Sequence, residues 1–238
     1  MATYNNAKNI LVGASPLFLS AKDSTQSGYV ENMEPGSYNA FANGTSFTDT
    51  LNAAAAWRNV GYTNNGLQIT YNPTYGSVTV DQLLDTAKLF KESMEVMIAT
   101  EMTEGTLENV LAVFGQGGKP DHTGDITATN TLQTETAYTA GTAGGKRTLG
   151  LAAGALGVAP TERQLVAVGQ APTTTDGSNS KTTERVYYAR RVLSVQQSQF
   201  SLARNNPTTF PVTFRLLPDG NTAYAGQEYG KIIDRVLA

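Results

Sequence analysis

Residues 57–82 read WRNVGYTNNGLQITYNPTYGSVTVDQ, and the alternation inside them decides the class of fold. Leu67, Ile69 and Tyr71 fall on one side of an extended chain and Gln68 and Thr70 on the other, the period of two expected of a half-buried strand. Val78 and Val80 repeat the pattern within residues 77–82. Asn64-Asn65-Gly66 stands immediately before the first run. Asn and Gly tolerate the positive φ that both central residues of a tight two-residue turn require, so the spacing predicts a hairpin turn there and a second turn at Asn72-Pro73.

Working outward, residues 10–20 read as an opening strand and residues 92–102 as another. In the latter, Met94, Val96, Ile98 and Met102 share one face, while Glu95, Met97, Ala99 and Glu101 share the other, giving a strand with one acidic side. Residues 106–114 carry the one clear helical period. Leu107, Val110, Leu111 and Phe114 recur at helical spacing, Thr106 is placed to cap the N-terminus and Gly115 to stop the helix. A short helical turn is expected at 51–57. Further strands are predicted at 163–169, 184–197 and 200–217, where Phe210, Val212, Phe214 and Leu216 alternate with Pro211, Thr213 and Arg215. The expected fold is mainly β, a sandwich or barrel-like domain spanning 1–238 with one flanking helix. Its long polar segments are 21–56, 116–160 and 171–182.

Composition narrows the function. The 238 residues contain no cysteine, which excludes disulfides, thiolate metal sites and a cysteine nucleophile. Charged residues make up 16%, against roughly 25% in an ordinary soluble domain. A surface so poor in solvating charge suits a protein largely covered by copies of itself. The formal net charge is −3, with no basic patch for phosphate neutralisation. Residues 1–150 hold 8 Lys/Arg against 14 Asp/Glu, and residues 151–238 hold 9 against 6, an asymmetry that favours head-to-tail contact if the two parts occupy different faces. The first twenty residues lack a basic n-region and an A-x-A site, and no apolar run approaches the roughly twenty residues of a membrane span. The expected site of synthesis is the cytoplasm.

Chemistry-bearing motifs are sparse. His122 is the one histidine, and with Asp121 and Asp125 it makes a weak cation set in a loop. The glycines around Lys119 and Lys146, and Gly150, Gly154 and Gly157, lack the spacing of phosphate-binding loops. Glu101, Glu104 and Glu108 cluster in sequence at the start of the helix, where carboxylates favour its positive end. Tyr187, Tyr188, Tyr224 and Tyr229, without a basic groove, read as packing residues, and Arg190 and Arg191 project to opposite strand faces. No catalytic, cofactor or metal residues are assigned.

Three blocks together resemble the major tail tube proteins of long-tailed, siphovirus-like bacteriophages. They are the stretch 57–82, the stretch 92–114 containing MIATEMTEGTLENVLAVFG, and the C-terminal series from TERQLVAVG through FPVTFRLLPD to EYGKIID. The resemblance covers somewhat over half the chain. It implies a non-enzymatic, cofactor-free structural protein made in the host cytoplasm and built into the virion tail. Such subunits form hexameric rings stacked head to tail, with long arms bridging rings and double-stranded DNA passing through without specific binding. The implied partners are copies of the chain itself, the tape-measure protein, the tail terminator and distal tail proteins. On this resemblance, 21–56 is the expected inter-subunit arm, Glu95 and Glu101 are the candidate lumen-facing residues, and the immunoglobulin-like C-terminal domain of some members is absent. Two other readings fit the composition: another ring-forming phage or secretion-tube component (tail terminator, decoration or Hcp-like protein), or a carbohydrate-binding β-sandwich module. The latter needs exposed aromatics, whereas the lone Trp57 stands at the base of the predicted hairpin.

Overall fold

A computed structural model describes residues 15–26, 29–33, 57–82, 85–117, 132–136, 146–151, 160–171, 183–196, 198–202, 204–205 and 207–236. Among these residues the chain is mainly β. Strands β1 (Leu17–Ser20), β2 (Trp57–Asn59), β3 (Thr63–Thr79) and β4 (Thr86–Met102) precede helix α1 (Leu107–Val113). Then come β5 (Leu132–Thr136), β6 (Lys146–Leu149), β7 (Arg163–Gln170), β8 (Thr183–Ser194), β9 (Phe210–Leu216) and β10 (Gly230–Val236). Every pairing is antiparallel. The main sheet runs β2-β1-β7-β8-β9-β4-β3, with β10 also on β8, while β5 and β6 form a separate ribbon.

The sheet curls over itself. Leu17, Leu19, Leu165 and Ala167 of β1 and β7 share one core with Val96, Ile98, Phe210 and Phe214 of β4 and β9, although three strands lie between β1 and β4. The opposite face of β1, β7 and β8 carries a second cluster, Phe18, Trp57, Val166, Val168, Val186 and Tyr188. Strands β1 and β7 are therefore buried on both faces, which is why Leu17–Leu19 and Leu165–Val168 are continuous apolar runs rather than alternating ones. Each fully buried Leu, Val or Phe contributes about 1.5–3 kcal/mol. β8 makes the curl possible, because its second edge is shared: Gly230 of β10 pairs with Ala189, while Leu216 of β9 pairs with Val192.

Local chemistry sets α1 as expected. The Thr106 hydroxyl accepts the Asn109 amide at 3.3 Å. At the other end Gly115 sits at φ +65°, and the amides of Gly115 and Gln116 return to the carbonyls of Ala112 and Leu111. The buried side, however, is Asn109, Leu111, Ala112 and Val113; Phe114, expected on the apolar face, is exposed and stacks on Phe200.

Two predicted turns are overturned. Asn65 and Gly66 do adopt positive φ, +59° and +67°, yet the chain does not reverse. They form a bulge inside β3, between the pairs Asn64 with Glu101 and Gln68 with Ala99, and the Thr100 hydroxyl donates to the Gly66 carbonyl at 2.9 Å. Asn72 and Pro73 lie within β3, opposite Glu95 and Met94. β3 is an outer strand, where proline's missing N–H is tolerated. The actual reversal falls between Thr79 and Thr86, so the hairpin arms are seventeen residues each. The strand expected over 200–217 is confined to β9, and β10, which was not foreseen as a strand, pairs with β8 over seven residues. Of 10–20, the described part is a strand only at β1, and the helical turn expected at 51–57 lies outside the described residues except for Trp57, which is in β2.

The described part of 21–56 is tied to its own sheet. Asp23 is fully buried and accepts the Arg163 guanidinium at 3.1 Å. Burial lowers the Arg163 pKa, with the Asp23 charge opposing the shift. The Gln164 side chain clasps the next stretch, donating to the Val30 carbonyl at 2.6 Å and accepting the Met33 amide at 2.7 Å.

Candidate assembly surface

Register places Glu95 and Glu101 on the face of β4 turned away from the core, together with Met97 and Ala99. Gln68, Thr70 and Asn72 of β3 flank them on one side, Thr213 and Arg215 of β9 on the other. This face is polar rather than purely acidic. The Glu95 carboxylate meets the Arg215 guanidinium at 3.6 Å across the sheet, both groups partly exposed, and Glu101 accepts the Asn64 amide at 3.3 Å. One acidic charge of this face is thus offset by an arginine that the strand's own sequence does not reveal.

β4 pairs with β9 only from Met97 to Met102; nearer Thr86 its partner is β3 alone. Val96 and Met94 still pack on the core, so the hairpin leaves the body beyond Ser93 as a two-stranded arm, about 25 Å long at the usual rise of about 3.3 Å per residue. Tyr75 and Leu89 on it are 60% and 65% exposed and Val78 and Phe90 are exposed as well, as are Ile69 and Tyr71 where β3 borders the body. Lys91 reaches over the Tyr71 ring at 5.8 Å, and the Phe90 ring lies across Gly76, where a Cβ would collide with it. The sequence signal for these residues was the same alternation that marks a core-facing strand, which is why their exposure was not anticipated. The outer side of β3 has no strand partner among the described residues, leaving an unusually long open edge.

At the other end of β4 the chain passes into α1. There an open groove of about 480 Å³ runs between the C-terminus of α1 and the segment after β8. Phe114, Leu151 and Val195 border it, and Ser194 fixes the wall by donating to the Val113 carbonyl at 2.8 Å. Phe200 beside it is exposed and packs on both Phe114 and Phe210.

The sequence-level candidates for chemistry are dispersed. Glu101 stands on the sheet face; Glu104 instead accepts the Tyr62 amide at 3.0 Å beside Gly61, which holds φ +83°; Glu108 is in the first turn of α1. Tyr188 is buried edge-on against Trp57 and donates to Gln164, and Tyr229 donates to the Met94 carbonyl. Arg190 and Arg191 do project to opposite faces. Arg190 is buried 3.7 Å from the Tyr224 ring, and Arg191 binds both oxygens of Glu162 at 2.6 and 2.7 Å, which raises its pKa. Asp121, His122 and Asp125 lie outside the described residues, as do most of 116–160 and of 171–182. Among the described residues no group of three or more His, Cys, Asp or Glu is placed to hold a metal, and no helix is long and apolar enough to cross a membrane. Comparison of the chain with protein-family models and with curated protein sequences returns no match.

Proposed function

We propose that this chain is the structural subunit of a bacteriophage tail tube, assembling into stacked rings.

 The axis of such a ring is a conduit for DNA, and the polar face of β3, β4 and β9 is its lining. The observation that carries this reading is β3: a seventeen-residue strand whose outer edge has no strand partner among the described residues, continued beyond the body as an arm whose aromatic and aliphatic side chains are largely exposed. A long, exposed, apolar edge in a lone subunit is an aggregation hazard, and closed or stacked assembly of copies removes it. The low charge content and the resemblance over 57–82, 92–114 and the C-terminal series support the same conclusion. The tape-measure, terminator and distal tail proteins are the partners this role calls for.

Negative-stain electron microscopy of the purified, concentrated chain tests it. Rings or hollow tubes with a regular axial repeat are the expected result. Monomers that persist at high concentration and bind glycans would replace the reading with a carbohydrate-binding module.

A further inference from the structure

We infer that residues 22–26 and 29–33 form a strap that lifts off the sheet as one unit while the sheet behind it stays folded. This opening belongs to the single subunit and is separate from the assembly proposed above. Polar pins hold the strap at both ends. Near its start the Ser24 amide donates to the Glu162 carbonyl at 2.9 Å, the Glu162 amide donates to the Ser24 hydroxyl at 2.9 Å, and Asp23 takes the Arg163 guanidinium. Near its end Asn32 donates to Asp219 at 2.8 Å and accepts the Arg190 guanidinium at 3.2 Å. Beside it the Gln164 amide stands in for a peptide group of a neighbouring strand, donating to the Val30 carbonyl and accepting the Met33 amide. The Gln164 oxygen also accepts the Tyr188 hydroxyl at 2.9 Å, so the sheet fixes this clasp from behind. Three consecutive residues, Glu162, Arg163 and Gln164, thus grip both ends of the strap, and that shared grip couples the ends.

Little apolar burial backs these pins. Of the strap's residues only Asp23 is buried; Val30 is 59% exposed, and Met33 is half-buried against the second cluster. The valines of that cluster, Val166, Val168 and Val186, are fully buried. A segment with few buried apolar contacts opens at lower free energy than the core it lies on.

Strap and body are also loosely packed. A cavity of about 200 Å³ lies between them, walled by Tyr29, Glu31 and Asn32 of the strap and by Arg190, Arg191 and Asp219 of the body, and such a gap forfeits dispersion contacts. Opening relieves two costs of the closed state. Asn32 holds φ +54°, a conformation sparsely populated by residues other than glycine. The Asp23 carboxylate and the Arg163 guanidinium are both withdrawn from water, and regaining it offsets part of their attraction.

Native-state hydrogen exchange on the full-length chain, followed across low urea concentrations, tests this. The reporters are the Ser24 and Met33 amides, which bind the body from the two ends of the strap, and the Val168 amide of β7, which donates to the Pro16 carbonyl. Ser24 and Met33 are expected to share one protection factor, well below that of Val168 and nearly indifferent to urea, because little surface is bared. Two substitutions outside the core then probe the coupling, each read at the far end. Asn32→Ala is expected to lower protection at Ser24 about tenfold, and Ser24→Ala to lower it at Met33 about threefold, the worth of the hydrogen bonds removed. Protection that falls only beside the substituted residue would overturn the single unit, since the pins would then open separately. Ser24 and Met33 as well protected as Val168, with the same urea slope, would overturn it too, because the segment would then open only with the sheet.

Discussion

Asn109 shows how much one side chain can organise. It is fully buried in α1, donates to the carbonyls of Val60 and Glu104 at 2.8 and 2.9 Å, and accepts the Arg58 guanidinium at 2.6 Å. Burial, the largest influence on Arg58, brings its pKa down to about 10, so the amide oxygen is a needed partner. Asn109→Ala leaves two buried carbonyls and a guanidinium short of partners, and is expected to lower stability by about 2–4 kcal/mol in a urea titration with unchanged slope. None of this was legible in the sequence, where Asn109 looked like one polar residue on a helix. Thr106 and Gly115 were legible, because a cap depends only on the residues next to it. Asn65 and Gly66 were legible halfway: the positive φ was right, but whether it turns the chain or bulges it depends on what lies alongside, and β4 is supplied from thirty residues away.

Among elements, β10 is held partly by a pair whose behaviour with pH can be worked out. Asp234 accepts the Arg185 guanidinium at 2.6 Å through each oxygen, and these bonds hold its carboxyl below the usual value of 3.8. A carboxyl with a depressed folded pKa contributes stability above its unfolded value and loses that contribution as pH falls through the folded one. The pair is half exposed, so its worth is under about 1 kcal/mol and the effect is local. Hydrogen exchange at β10 amides, compared with those of β7, is expected to quicken beyond its intrinsic pH dependence as pH falls below the usual carboxyl value of 3.8, and Asp234→Asn should abolish the difference. β10 escaped the sequence reading because its alternation is short and interrupted by Lys231, Asp234 and Arg235. β4 did not escape, since its core-facing residues alternate cleanly, but the same alternation on β3 could not say whether the far side would meet a core or another copy.

For the whole molecule, the face that the proposed reading turns to a conduit carries Glu95, Glu101 and Arg215 in the register described. On the proposed tube reading, Glu95 both occupies Arg215 and repels phosphate, which would keep that arginine from gripping a passing duplex. Glu95→Gln is expected to give tubes that retain DNA in a salt-sensitive way, while Glu95→Gln with Arg215→Gln does not; a filter-retention assay across salt concentrations checks both. The acidic side of β4 was visible in the sequence, but its neutralising partner was not, because Arg215 arrives from β9, more than a hundred residues later. The shared edge of β8 has a mechanical consequence. Tension applied at Val236 opens the β8–β10 ladder one rung at a time, starting at Thr183, as a zipper opens. Tension along β9 must instead shear its bonds to β4 together. A load hung on the C-terminus would thus peel away a single strand at low force, while the curled sheet behind it stays closed.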